Sequence, residues 1–359
     1  MIGTVQTKIT GGMATHTQEL VENLKNLNIN ILFYKINSRK IYNRFFDCLK
    51  KIFKRTIGVS LKLLKDSKKV DIVHVQASGP IGGFLPAIIS AFWKKILNFK
   101  LIITFHYSQT ESFLNQYPNI SRFVLERIDN FIVVSKRQRK FISSILGDKY
   151  YDKISVIPNG YNPNKLKVIN KKEARKKLNL KSNSRVLLNI GLLFEKKGQK
   201  YLIQAMEKIV DIKEYSDVNC YIIGQGPLLN ELQLQIDKYN LKNHINLPGF
   251  VSIEELNLYL NSADIFVLPS LNEGNPTVMF EALSVGLPFV GTNVGGIPEI
   301  IISDEYGFIV EPSNPKQLID KIIKALKKSW DNEKIKRYAA QFSWKNIARQ
   351  TKEIYEKII

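Results

Sequence analysis

Short runs of β-branched and other apolar residues alternate along the chain with Gly- or Asn-containing turns and with stretches of helical periodicity. Six runs predict strands in the first part: Ile2–Val5, Ile29–Tyr34, Ile72–Gln76, Leu101–Phe105, Asn130–Val134 and Ile154–Ile157. After Pro158-Asn159-Gly160 the rhythm restarts with Arg185–Ile190, Asn219–Ile223, His244–Leu247, Ile265–Leu268, Phe289–Gly291 and Gly307–Val310. These runs are continuous rather than alternating, the pattern of strands covered by helices on both faces. Strands alternating with helices in two blocks predict an α/β chain of two doubly wound parallel sheets facing a central cleft. The predicted domains are 1–160 and 161–340, with a terminal helix at 341–359 packing back toward the first. The linker is expected near 158–180, and no repeat of 20–50 residues is visible.

The 359 residues suit two or three domains with their own cores, and 44% hydrophobic content argues against disorder. Two separated cysteines, Cys48 and Cys220, exclude a disulfide framework and any Cys-rich metal site, which fits a reducing cytoplasm. No charged segment followed by an apolar one marks a signal peptide. The longest apolar run, Gly79 to Trp93, is 15 residues with two prolines, shorter than the roughly 20 a membrane span requires. A cytoplasmic protein, soluble or peripheral at the inner face of the membrane, is expected.

The net charge is +21, and it is uneven. Residues 1–160 carry 25 basic against 10 acidic side chains, and the remainder 28 against 22. Such a field favours an anionic partner for the first domain. Residues Lys40–Arg55 place Ile41, Phe45, Leu49 and Ile52 on one helical stripe, flanked by Arg44, Lys50, Lys51, Lys54 and Arg55. This pattern suits a helix on an anionic membrane or a partner, and equally an ordinary helix packed on its own sheet. A nucleic-acid-binding protein would explain the charge, yet no binding module or aromatic-rich basic stripe accompanies it.

Ligands of open parallel sheets bind beyond the carboxyl ends of the strands, so the strand-to-helix loops are the places to search. Gly11-Gly12 opens a helix running to about Leu27, where glycine lets a phosphate or sugar approach backbone N–H groups. The dinucleotide fingerprint is absent. His106 ends the strand Leu101–Phe105, placed to donate a hydrogen bond or carry a proton. The other histidines, His16, His74 and His244, show no metal-ligand spacing, and no metal is expected. Gly191 to Gly198 brings Lys196 and Lys197 to a helix start, a site for a diphosphate or simply solvated lysines. Gly224-Gln225-Gly226-Pro227 is a further tight turn. The strongest signal is Glu273-Gly274-Asn275-Pro276-Thr277-Val278-Met279-Phe280-Glu281. Its two carboxylates bracket a helix start, where paired sugar hydroxyls and phosphate oxygens both find partners.

From this motif onward through Gly286-Leu287-Pro288 and Gly295-Gly296-Ile297-Pro298-Glu299, the chain resembles the family-four retaining glycosyltransferases with the GT-B fold of two Rossmann-like domains. Gly11-Gly12, Thr104-Phe105-His106, Gly224–Pro227, Gly249-Phe250-Val251-Ser252 and Phe342-Ser343-Trp344 extend the resemblance over almost the whole chain. The resemblance implies transfer of a hexosyl unit from a nucleotide diphosphate sugar, with no cofactor and no metal. It implies that Glu281 holds the ribose and Glu273 the donor hexose. Backbone near Asn275, Pro276 and Thr277 would line the sugar–phosphate pocket, Lys197 would bind the diphosphate, and Gly12 would admit it. Val251 would lie near the base, and His106 would face the reacting sugar. The family commonly has Arg after the glycine that here is Gly191; this chain has Leu192. The partners implied are a nucleotide-sugar donor and a glycan or lipid-linked acceptor, without nucleic acid. A GT-B sugar-nucleotide epimerase is the competing enzyme; it would act on the donor without an acceptor.

Overall fold

The computed structural model describes residues 1–3, 12–36, 44–79 and 81–359. The chain divides into two units, Met1–Gly160 with Trp344–Ile359, and Tyr161–Ser343. Each unit holds a six-stranded, wholly parallel sheet. In the first the strands are β1 (Ile2–Gly3), β2 (Tyr34–Lys35), β3 (Ile72–Ala77), β4 (Lys100–Phe105), β5 (Asn130–Val133) and β6 (Ile154–Val156), ordered β2-β1-β3-β4-β5-β6. The second contains β7 (Arg185–Ile190), β8 (Val218–Ile223), β9 (Ile245–Gly249), β10 (Ile265–Leu268), β11 (Phe289–Thr292) and β12 (Gly307–Val310), ordered β12-β11-β10-β7-β8-β9.

Eleven strands fall within the expected runs or overlap most of them; β2 is displaced. The run Ile29–Phe33 is not paired, and the strand begins only at Tyr34, opposite Ile2 of its neighbour. Within the described residues Ile2 and Gly3 of β1 pair with Tyr34 and Lys35. The expected end of β1, at Val5, and Gly11 lie outside the described residues, as do Lys40 and Ile41 and the side chains of Arg44 and Phe45.

Period-two alternation decides what each face of the first sheet buries. Val73, Val75 and Ala77, Leu101, Ile103 and Phe105, and Phe131 and Val133 point to one face and share a core with Phe84, Phe113 and Leu125. On the opposite face Ile102 and Ile132 pack under Leu20 and Leu24 of the helix Gly12–Lys25 and Ile347, Ala348 and Tyr355 of the terminal helix Trp344–Ile358. That second face becomes polar toward the carboxyl ends of the strands, where His74, Gln76 and Thr104 occupy the buried positions.

Asp264 fastens the second sheet. Its Oδ2 accepts from the Val186 N–H at 2.6 Å and from Arg175 Nη2 at 2.8 Å, and its Oδ1 pairs with Lys171. Arg175 is buried and donates further to the carbonyls of Ser262 and Ser182, so its charge is matched on every side. The stretch expected as linker thus contributes the helix Lys171–Lys177 to the second unit. Tyr161 N–H donates to the Phe342 carbonyl at 3.1 Å, tying together the two ends of that unit.

Candidate active site

In the second sheet the order reverses between β7 and β10, the switch point where open α/β sheets bind ligands. The loops leaving those two strands are held backbone to backbone. The N–H groups of Leu271 and Asn272 donate to the Lys196 carbonyl at 2.8 and 3.3 Å. Gly198 adopts φ +65°, and a Cβ there would collide with the Pro269 carbonyl oxygen. Gly224, at φ +151°, lies against the Gly191 carbonyl, and Gly295, at φ +55°, against the Glu273 carbonyl. Only glycine satisfies both conditions, positive φ and no room for a side chain.

This close packing brings together two residues 76 apart in sequence. Lys197 Nζ donates to Glu273 Oε1 at 2.6 Å, with 16% and 9% of the two side chains exposed. Ser270, which sequence reading missed, donates its hydroxyl to the same oxygen at 2.7 Å; its own carbonyl accepts from Thr292 Oγ1 at 2.5 Å. The pair therefore bridges the switch point. The predicted diphosphate cation and the predicted hexose carboxylate are each other's partner here. Gln199, at the start of the helix Gln199–Val210, is a second residue missed: it is buried, donates to the Leu192 carbonyl at 3.2 Å, and its Oε1 has no partner among the described residues. Leu192 is exposed, and Lys196 directs its backbone, through its carbonyl, to the β10 loop.

Asn275 is buried beside Pro276, which caps the helix Thr277–Ser284 without a side-chain hydrogen bond. The first turn of such a helix leaves N–H groups unspent within the helix. Glu281 lies in its second turn, half-buried. Val251 follows β9, partly buried against the core that also contains Phe266 and Phe280. Next to it Ser252 and Glu255 form a capping box that starts the helix Ile253–Ser262.

Two predicted residues lie in the first unit. Gly12 begins its helix, exposed, with no described atom within 4 Å of where a Cβ would stand. His106 directly follows β4; its N–H donates to the Ala77 carbonyl at 3.0 Å, and its Nε2 lies 2.8 Å from Gln76 Oε1. His16 meets its ring edge-on at 4.4 Å between centroids, packs on Trp344, and shares a 2.9 Å hydrogen bond with Asn159. Burial lowers the pKa of His16 to about 4, against the opposing Asn159 hydrogen bond. His106 and His74 are likewise held well below the usual imidazole value, first by burial and then by neighbouring positive charge.

Among the described residues no three His, Cys, Asp or Glu side chains are gathered as metal ligands, and no helix is long and apolar enough to cross a membrane.

Comparison with known proteins agrees with this architecture. The family model Glycosyltransferase Family 4 matches residues 10–165, and the model Glycosyl transferases group 1 matches residues 170–342. The chain belongs to glycosyltransferase family 4, with the GT-B arrangement of two parallel-sheet domains. It is 26% identical to an uncharacterized glycosyltransferase of Methanocaldococcus jannaschii, over 97% of this chain and 95% of that protein. It is 28% identical to the UDP-Gal:alpha-D-GlcNAc-diphosphoundecaprenol alpha-1,3-galactosyltransferase of Escherichia coli, over 80% and 76% of the two chains. In fold it is similar to sucrose-phosphate synthase of Thermosynechococcus elongatus, with a TM-score of 0.79, 19% identity, and 99% and 98% of the chains covered.

The buried imidazoles make a prediction about acid stability. A His whose folded pKa is depressed contributes stability that is complete above its unfolded pKa, near 6.5, and is lost as pH falls toward its folded value. For His16 that window runs from about 6.5 to about 4. It corresponds to a loss on the order of 3 kcal/mol at 1.36 kcal/mol per pH unit. Urea midpoints of the first unit between pH 7 and 4 should therefore fall steeply, and His16→Phe should flatten the slope by about one proton. An unchanged slope would show that His16 is not held neutral.

Proposed function

We propose that this glycosyltransferase transfers a hexosyl unit from a nucleotide diphosphate sugar with retention of anomeric configuration, without a metal or other cofactor. The observation that carries the reading is the Lys197–Glu273 pair bridging the switch point. A donor diphosphate arriving at Lys197 replaces Glu273 as the partner of the ammonium. The carboxylate, still held by Ser270, is then available to hexose hydroxyls. Glu281 takes the ribose, N–H groups near Asn275, Pro276 and Thr277 (Pro supplies none) meet phosphate oxygens, and Val251 lies by the base. Gly12 is assigned to close approach of the diphosphate. His106 is assigned to the reacting sugar.

In the reaction the bond from the anomeric carbon to the diphosphate oxygen breaks and a bond to the acceptor oxygen forms on the same face. The acceptor proton leaves with the departing phosphate. Charge growing on the leaving group is met by Lys197 and by helix-terminal N–H groups. Product analysis with donor and acceptor separates this reading from epimerisation, which consumes donor alone.

The named substrate of the E. coli relative, a diphosphoundecaprenol-linked sugar, supports a lipid-linked or anionic glycan acceptor. The helix Arg44–Arg55 supports an anionic membrane surface for the first domain. Its apolar residues Phe46, Leu49, Ile52 and Phe53 are 45–59% exposed, while Asp47 is buried. The stripe continues through the exposed Ile57, Leu61 and Leu64 of the helix Ile57–Asp66. An ordinary surface helix would show the opposite arrangement. Lysines 50, 51, 54, 62 and 65 flank the apolar stripe.

Two outcomes test these roles. Glu281→Ala should weaken both bare nucleoside diphosphate and donor about tenfold or more, the size of a lost charge-assisted hydrogen bond. Glu273→Ala should leave the bare nucleotide bound as well or better, because Lys197 is released, and lose transfer by a similar factor. Equal loss of nucleotide affinity in both, or undiminished turnover in Glu273→Ala, contradicts the division. On liposomes, the protein should partition to anionic vesicles at low salt and less at high salt. Phe46→Ser with Phe53→Ser should abolish binding. Equal partition to neutral and anionic vesicles, or none to either, would contradict an anionic membrane surface as partner.

A further inference from the structure

We infer that Gln76 and His74 are positioning residues that fix His106 as its Nε2–H tautomer, so that Nδ1 is the ring's hydrogen-bond acceptor. The inference rests on the assignment of His106 to the reacting sugar and concerns how the protein prepares that ring.

The polar residues on the second face of the first sheet form one continuous chain. Starting at the terminal helix, Tyr355 Oη lies 2.6 Å from His74 Nδ1. His74 Nε2 is 2.7 Å from Thr104 Oγ1 and 3.1 Å from Gln76 Nε2, and Gln76 Oε1 is 2.8 Å from His106 Nε2. The direction of each hydrogen bond follows from the amide. A carbonyl oxygen only accepts, so His106 Nε2 must carry a hydrogen; an amide nitrogen only donates, so His74 Nε2 must be bare. The His74 proton is then on Nδ1, donated to Tyr355, and the Thr104 hydroxyl is a second donor to the bare nitrogen. Reversing the amide would reverse both tautomers together, so the glutamine ties the state of one ring to the state of the other.

Gln76, His74, Thr104 and Tyr355 are all buried. Period-two parity places His74, Gln76 and Thr104 with Ile72 and Ile102, under the apolar residues of two covering helices, where aliphatic side chains would pack without desolvating a polar group. Four buried polar side chains satisfied in series are costly to leave half-matched. Their chain ends on His106, which is only partly buried. From the other side His16 and, behind it, Trp344 limit the tilt of the His106 ring. Burial keeps all three imidazoles neutral near neutral pH, and in a neutral ring the tautomer decides which nitrogen accepts.

The test is nitrogen NMR on the full chain with 15N-labelled histidine, His106 being identified by its loss in His106→Asn. The expected spectrum at pH 7.5 shows His106 protonated at Nε2 with bare Nδ1, and His74 protonated at Nδ1 with bare Nε2. Gln76→Leu should turn His106 into a mixture of tautomers. Tyr355→Phe, which preserves packing, should first disturb His74 and then shift His106 in the same direction by a smaller amount. A His106 protonated at Nδ1 or charged in the wild type overturns the inference. So do His106 nitrogen signals unchanged in Gln76→Leu, or, if that variant does not fold, unchanged in Tyr355→Phe. Turnover separates this from the assignment it rests on. The variants that lose the tautomer should lose kcat by about tenfold, the size of one misplaced hydrogen bond, with donor KM nearly constant. Full kcat with the tautomer lost would instead overturn the role of His106 in transfer.

Discussion

The candidate site depends on the contact of backbone with backbone at the carboxyl ends of β7, β8, β10 and β11. Gly198 lies on the Pro269 carbonyl, Gly224 on that of Gly191 and Gly295 on that of Glu273, each with positive φ and none with room for a Cβ. Side chains would hold these loops farther apart. Lys197 and Glu273 would then lose the 2.6 Å pairing that spans the switch point. The glycines therefore set the spacing of charge at the switch point.

The charges at the switch point are satisfied within the protein. The Lys197 cation and the Glu273 carboxylate neutralise each other, with Ser270 holding the carboxylate in place. Neither bears the cost of a buried unpaired charge. The first unit solves a different problem with the same economy. Its sheet turns polar where β3 and β4 end, and His74, Gln76 and Thr104 satisfy one another beneath two helices, one of which, Trp344–Ile358, returns from the far end of the sequence.

Much of this was legible in the sequence. Continuous apolar runs announced eleven strands in place, and the turn residues announced the loops in which the candidate residues lie. The displaced β2 shows the limit of that reading, because an apolar run such as Ile29–Tyr34 does not report which of its residues meets Ile2 of the neighbouring strand. The Glu273–Glu281 spacing was visible, but its pairing with Lys197 was not, since residues 76 apart meet only through strand order. The polar chain was half visible: His74 and Gln76, and Thr104 and His106, share parity on adjacent strands, whereas Tyr355 gives no local sign of its partner. Amphipathicity marked the segment ending at Arg55, yet periodicity cannot state which face is turned outward, and here it is the apolar one.

The central claim is that the second domain binds a nucleotide diphosphate sugar at the loops after β7 and β10. A thermal-unfolding screen of the unmodified chain against UDP-, GDP-, ADP- and TDP-sugars and the matching nucleoside diphosphates tests it most directly. At a ligand concentration 100 times Kd, binding to the native state adds about 2.7 kcal/mol, a shift easily resolved. The account predicts that one base class stabilises the protein both as the sugar nucleotide and as the bare diphosphate. No shift with any of them, alongside salt-sensitive stabilisation by oligonucleotides, would contradict it.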